Sequence, residues 1–402
     1  MSKITSREYA VPFVLVTTLF FMWGFARSIL DVLNKHFQNT LDLTITESTW
    51  IQVTTYLAYF LMAIPAGLFI NRYGYRRGVV VGLSLSALGA FAFVPANIIG
   101  QLGVFLVALF VIGTGLVFLE TSANPYSTEL GPRETASSRL NLSQAFNGLG
   151  SSIAPAIVGG FLFAGGSVDV PYIVMGCVVV VAAIVFSRVK LPEIKHADDG
   201  ATANEQSGLN NMLALVKHHR FLLGLLALLS YEVAEISINS YFIQFTTGMG
   251  WMEADIASTV LTVALMCFMV GRFVCSFIMQ HIAAERVLLV CAVGTVVCTS
   301  LVLLCGDSHM ALYALIANYA FESIMFPTIF AQSLKGLGTL TKTASSLLMM
   351  TPVGGCAFML VGHIADSAGF IAPFYIPLAA FAIVLVYTLS INRKQCVTTS
   401  AA

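Results

Sequence analysis

Seven charged side chains lie where the sequence is otherwise apolar: Arg27, Asp31, Glu120, Glu232, Glu235, Arg272 and Glu322. Ionisable groups in such surroundings either bind and release a proton, a cation or a polar ligand, or pair with one another as structural staples. Arg27 and Asp31 are four apart and share one helical face. Asp31 is therefore expected to be a titratable coupling group tuned by Arg27, with a plain ion pair as the bland alternative. Glu120 has no cation three or four residues away, and it precedes Asn124-Pro125, where a proline frees backbone groups that can line a cavity. Desolvation disfavours the charged form of a carboxyl, which suits a proton carrier, so Asp31 and Glu120 are the candidate proton-coupling pair.

Amide side chains supply the second chemistry. Ser143, Gln144 and Asn147 fall on one helical face, and amides carry both donors and acceptors for a hydroxyl-rich ligand. Helix-to-helix bridging is the competing role. Glu232 and Glu235 are one turn apart with Asn239 four beyond, a polar face in an apolar helix. Trp23, sharing the first helix with Arg27, could stack on a sugar ring. The candidate substrate contacts are thus Trp23, Arg27, Gln144, Asn147, Glu235 and Asn239, while Arg272, Glu322, Arg72 and Arg76 are candidates for ion pairs or gating. Tyr231, Tyr241 and Phe326 read as packing or interface aromatics. His363 lies near the outer end of a span; His36, His196, His218, His219, His281 and His309 read as loop residues.

These groups need elements that hold them in an apolar medium. Of 402 residues, 57% are apolar and only 10% charged, against roughly 25% charged in soluble domains. That excludes an ordinary globular enzyme. Net charge is zero, so nucleic acid is not expected as a partner. The eight cysteines form no CxxC pair and read as small buried hydrophobes. A membrane span takes about 20 apolar residues, and twelve such runs are present, at 10 to 32, 48 to 70, 79 to 97, 102 to 125, 139 to 163, 170 to 187, 221 to 246, 254 to 279, 286 to 305, 309 to 332, 343 to 365 and 371 to 391. The first is too long for a signal-peptide core and lacks a small-residue cleavage site.

The only long polar segment, Arg188 to Arg220, divides six spans from six. The expected organisation is an N-terminal six-helix bundle over 1–187, a cytoplasmic linker over 188–220 and a C-terminal six-helix bundle over 221–402. Cations near the span ends gather on one side: Lys3, Arg7, Arg72, Arg76, Arg77, Arg133 and Arg139, then the linker cations, Arg286, Lys335, Lys342, Arg393 and Lys394. The bias of Lys and Arg to the cytoplasmic side places both termini inside. The halves also echo one another: Glu120 to Pro125 matches Glu322 to Pro327 at an offset of 202, as expected of a duplicated bundle.

No zinc-protease helix, phosphate loop, nucleotide fingerprint or hydrolase elbow stands out. The chain reads as a secondary active transporter and not an enzyme, without a bound cofactor, driven by an ion gradient. Protons are the expected coupling ion, with sodium as the alternative.

Specific motifs carry a resemblance. Gly67-x3-Asn71-Arg72-x-Gly74-x-Arg76-Arg77 resembles the loop signature of the major facilitator superfamily, with Asn71 where Asp is commonest. Leu119-Glu-Thr-Ser-Ala-Asn-Pro125, Arg139-Leu-Asn-Leu-Ser-Gln-Ala-Phe-Asn147, Gly271-Arg-Phe273 and Ser323-Ile-Met-Phe-Pro-Thr-Ile-Phe330 followed by Lys335-Gly-Leu-Gly338 resemble the fucose:proton symporter family, which includes fucose permease and glucose/galactose transporters. The resemblance implies an all-α membrane protein of twelve spans in two six-helix bundles. It further implies a multi-pass protein of the bacterial inner membrane, acting as a monomer on a small sugar in the lipid bilayer. By motif match Asp31 and Glu120 correspond to that family's protonation and sugar-binding acids, and Gln144 and Asn147 to its fifth-helix sugar-binding amides. The implied activity is proton-coupled import of a hexose or 6-deoxyhexose by alternating access. Arg27 and Ser28 stand where the fucose permease has asparagines, and Met325 and Phe326 replace polar residues. An anionic or amino sugar is therefore the alternative cargo, and export of small polar or drug-like compounds the alternative direction.

Overall fold

A computed structural model describes residues 5, 8–131, 136–189, 214–279, 281–337 and 340–399. Eleven helices among the described residues are long and apolar enough to cross a membrane: Ala10–Leu41, Ile45–Ile70, Tyr75–Ile99, Leu102–Ser127, Leu142–Phe163, Asp169–Arg188, His219–Gly248, Ala254–Cys275, Ala284–Leu304, His309–Leu334 and Ala372–Asn392. These are spans one to ten and span twelve. The expected span eleven is present in pieces: an α-helix Thr341–Leu348, a 3-10 stretch Thr351–Ala357 and an α-helix Phe358–Ala368. Pro352, which lacks an N–H, and the Gly354-Gly355 pair interrupt it. Large apolar side chains such as Ile98 (81% exposed), Leu304 (82%) and Val386 (67%) point away from the protein interior, as lipid-facing residues do.

Backbone chemistry sets the helix ends and breaks. Span one runs past its most apolar stretch to Leu41 and stops at Asp42, which adopts the left-handed conformation with φ 50°. This carries His36 inside the helix, where it is buried, and corrects its reading as a loop residue: no Pro or Gly intervenes after Leu33, so the helix continues. His309 likewise opens span ten instead of preceding it. Gly74, at φ 86°, separates spans two and three. Pro155 begins a π-helical turn, Pro155–Gly159, within span five, an accommodation of the missing N–H.

The described chain forms two compact units: Met1–Thr44, Ser48–Ala201 and Ala254–Thr262 make unit 1, and Ile45–Glu47, Thr202–Glu253 and Val263–Ala402 make unit 2. Most of the expected linker, residues 190–213, lies outside the described residues. Within unit 1, span one packs along span five, and span three along spans four and six. Within unit 2 the pattern recurs: span seven packs on the 3-10 stretch of span eleven, and span nine along spans ten and twelve.

Close packing in unit 1 depends on small residues. At Gly24 a Cβ would collide with the Asn147 carbonyl, and at Gly150 one would collide with the Phe21 carbonyl. Spans one and five therefore touch backbone to backbone. The contact is stitched by Asn147 Nδ2 donating to Phe20 O at 3.1 Å, Ser151 Oγ to Gly24 O at 3.2 Å and a Thr17–Ser143 hydroxyl pair at 3.2 Å.

Candidate functional site

In unit 1 the polar groups converge from four helices. Glu120 on span four is partly accessible, the Tyr59 hydroxyl of span two lies beside it, and the Arg27 guanidinium of span one is near enough to act on its charge. Tyr59 is buried at 5% exposure, and its hydroxyl, although turned to the carboxyl, falls short of hydrogen-bond geometry with any group. Arg27 Nε donates to the Tyr56 hydroxyl at 3.2 Å, and its guanidinium carbon lies 5.6 Å from the centre of that ring. The sequence shows Glu120 without a local cation; the fold supplies one from another helix. Of these three the carboxyl alone can take a proton from water and return it, while the guanidinium and the phenol act on its charged form and are donors for a polar guest.

Asp31, buried at 8% exposure, accepts from Gln52 Nε2 at 3.4 Å. Asn34, one turn further along, is completely buried, and neither of its amide atoms has a hydrogen-bond partner. On the other side of Glu120, Asn124 lies one turn along span four and accepts from Gln144 Nε2 of span five at 3.2 Å. Gln144 thus joins the line of polar groups. Asn147 spends one amide donor on the Phe20 carbonyl, so it bridges helices as well as belonging to the polar face. Trp23 is buried at 3% exposure and packs against Phe20 with ring centres 4.3 Å apart.

Arg76 donates from Nε to Phe186 O at 3.2 Å and from Nη2 to Ser187 O. It therefore closes the C-terminus of span six, where unsatisfied carbonyls and the helix dipole favour a cation. Arg72 is exposed and lies over the Tyr73 ring at 5.3 Å. Arg139, counted from sequence among the cations at the cytoplasmic span ends, is buried and donates to Ser127 O at 3.1 Å, a second end-of-helix contact that apolar patterning does not reveal.

In unit 2, span ten breaks at Ser323–Ile324 between helices His309–Glu322 and Met325–Leu334. Pro327 cannot donate to the Ser323 carbonyl, and the guanidinium of Arg272 does so instead, at 3.0 Å. Glu322, completely buried, accepts from Asn318 Nδ2 at 3.1 Å. Arg272 also faces Tyr231 and Glu235 of span seven. Glu235 and Asn239 are both partly accessible, and Asn239 Oδ1 has no hydrogen-bond partner. Glu285, which the sequence analysis did not single out, takes Lys335 at 2.8 Å and Gln332 at 2.8 Å and reads as a structural latch.

Sequence reasoning missed Tyr56, Tyr59, Gln52, Asn34 and Asn318. A signal was present for the span-two group: 52, 56 and 59 follow the four-and-three spacing of one helical face.

The Major Facilitator Superfamily profile matches residues 16–359. The chain is 34% identical over 400 residues to a protein named glucose/galactose transporter from Brucella abortus, covering 96% of this chain and 95% of that one. It is 34% identical over 415 residues to the L-fucose-proton symporter of Escherichia coli, covering 95% and 93%. Among solved structures it is similar to a Major Facilitator Superfamily transporter, FucP, in the outward conformation, with a TM-score of 0.74, 32% identity and coverage of 95% and 99%. With the family profile spanning most of its length and such relatives aligned nearly end to end, the chain belongs to the Major Facilitator Superfamily.

Proposed function

We propose that the chain is a proton-coupled sugar importer working by alternating access, with Glu120 as the principal proton carrier. The observation that carries the reading is the meeting of Glu120, Tyr59 and Arg27 from three helices inside an apolar bundle. A carboxyl there costs about 2.5 to 3.5 kcal/mol on insertion-based scales, a cost retained for function when the group must change charge. Relatives named as a glucose/galactose transporter and an L-fucose-proton symporter support sugar as cargo and the proton as co-transported ion.

In this reading Glu120 takes a proton from the outer aqueous phase and neutralises the site. Sugar hydroxyls engage Gln144 and Asn147 of unit 1, with Trp23 lining that face, and Glu235 and Asn239 are the candidate sugar contacts of unit 2. The loaded protein reorients and both solutes leave inside, where deprotonated Glu120 again meets Arg27. Asp31, through Gln52, is the second acid of the relay. Reorientation of the empty protein with Glu120 charged must be hindered, or proton and sugar would move independently. The protein sits in the bacterial inner membrane with both termini cytoplasmic, as the placement of Lys and Arg supports.

Uptake of a panel of labelled sugars into proteoliposomes under imposed pH and sodium gradients tests the reading. Accumulation of a neutral hexose or 6-deoxyhexose driven by the pH gradient alone is expected; accumulation driven only by sodium overturns proton coupling. A second reading, with an anionic or amino sugar as cargo, is favoured by the partly accessible Arg27, and the same panel separates the two.

A further inference from the structure

The polar constellation of unit 1 has a counterpart in unit 2 that the reading above does not use. Glu120 stands five residues before Pro125, and Glu322 five residues before Pro327. Each carboxyl is faced by the hydroxyl of a buried tyrosine: Tyr59 faces Glu120, and Tyr231 faces Glu322. Each tyrosine is in turn faced by an arginine from a different span, Arg27 in unit 1 and Arg272 in unit 2. The combination of acid, phenol and guanidinium thus occurs in both units; the acid and its proline recur at the offset of 202, while the tyrosine and arginine come from spans two and one in unit 1 and from spans seven and eight in unit 2.

The unit 2 copy is not a satisfied structural network. Glu322 is completely buried; its Oε2 accepts from Asn318, while its Oε1 has no hydrogen-bond partner. The Tyr231 hydroxyl, also completely buried, has none either, and the carboxyls of Glu235, Glu322 and Glu232 lie close enough to act on it electrostatically. The charged and titratable groups around Glu322 come from three helices: Tyr231, Glu232 and Glu235 of span seven, Arg272 of span eight by way of Tyr231 and Glu235, and Cys298 of span nine. Three carboxyls therefore gather with one guanidinium. Like charges sharing a poorly solvated site cannot all ionise, and Glu322, whose Oε1 has no hydrogen-bond partner, is the carboxyl of the cluster with an open proton-accepting oxygen inside the protein. Arg272 already gives its Nε to the Ser323 carbonyl, which further limits what it can neutralise.

We propose that Glu322 is a second proton-carrying carboxyl, so that the protein moves two protons with each sugar, one on Glu120 and one on Glu322. The proton adds to Oε1 from water of the outer phase and leaves to water of the inner phase; the O–H bond is the only one made and broken. The proposal rests on the reading of the protein as a proton-coupled sugar importer, and the tests below separate the two.

The first measurement is the proton-to-sugar flux ratio of the wild-type protein in proteoliposomes, from the membrane potential at which net sugar flow reverses. A ratio of two is expected, and a ratio of one overturns the proposal while leaving coupling at Glu120 intact. A ratio of zero overturns proton coupling itself and the proposal with it. The second is Glu322→Gln, which keeps the shape and the bond to Asn318 but cannot take the proton. Its ratio is expected to fall to one, with uphill accumulation reduced but present, whereas Glu120→Gln abolishes accumulation. A purely structural Glu322 would leave the ratio unchanged. The third is infrared difference spectroscopy between acid and neutral buffer: a protonated-carboxyl band retained in Glu120→Gln and lost in Glu322→Gln is expected, and superimposable spectra for wild type and Glu322→Gln sink the proposal. Where Glu322→Gln fails to fold, a wild-type ratio of one still overturns the proposal, and Asp31→Asn with an unchanged ratio of two excludes Asp31 as the source of the second proton.

Discussion

At the residue scale the central relation is between Glu120 and the two groups that face it, Arg27 and Tyr59. Burial of a carboxyl among apolar helices is costly, and a guanidinium and a phenol nearby offset the charged form without holding it permanently. Glu120→Gln is expected to abolish uphill sugar accumulation in proteoliposomes while leaving counterflow exchange measurable, because exchange needs the sugar site but no net change of charge. Loss of neither property would remove Glu120 from the coupling step. Arg27 is the residue most able to set cargo class. Its Nε bond to Tyr56 fixes the side chain, and its partial accessibility leaves the guanidinium able to meet a guest. If an anionic sugar is the cargo, Arg27→Ala should move the substrate ranking toward neutral hexoses by roughly tenfold, the value of about 1.4 kcal/mol of lost charge-assisted hydrogen bonding; competition with labelled substrate reads this directly, and an unaltered ranking counts against an anionic cargo.

At the element scale, prolines and glycines decide what the polar residues can do. Pro327 removes one donor from span ten, and the freed Ser323 carbonyl draws Arg272 into the bundle. The sequence shows both residues in spans but contains nothing that pairs them, since they are 51 positions apart. Pro352 and Gly354-Gly355 divide span eleven into three short helices, although its apolar run reads as continuous. Spans one and five approach at Gly24 and Gly150, which places Asn147 against the backbone of span one and gives it a bridging bond beside its place on the polar face. Gly24→Val would drive a side chain into the Asn147 carbonyl and should destabilise the protein by about 1 to 3 kcal/mol or more, the range for overpacking a close contact. A fall in melting temperature in detergent, with sugar binding weakened in the protein that survives, is the expected result; unchanged stability would show that the two helices can part freely.

At the scale of the whole molecule, each compact unit carries its own acid, buried tyrosine and arginine, and the same pattern of helix packing recurs in both. The proposed orientation in the bilayer rests on the bias of Lys and Arg to the cytoplasmic side. Single cysteines introduced at Asp42 and Gly74, in a background whose native cysteines are replaced, should react with a membrane-impermeant maleimide from opposite sides of intact cells: Asp42 from outside, Gly74 only after permeabilisation. Labelling of both from one side would refute the assigned topology. The sequence by itself determined the membrane class, the approximate positions of twelve apolar segments and the identity of Asp31, Glu120, Gln144 and Glu235 as chemical candidates, because hydropathy and helical periodicity are local properties of the chain. Only the tertiary structure decided that Arg27 faces Glu120 instead of merely neighbouring Asp31, that Arg139 and Arg76 close helix ends, and that Tyr59 and Tyr231 complete matching constellations. Those relations join residues distant in sequence, and they arise from helix packing and from carbonyls left free by proline, which no local pattern of residue types encodes.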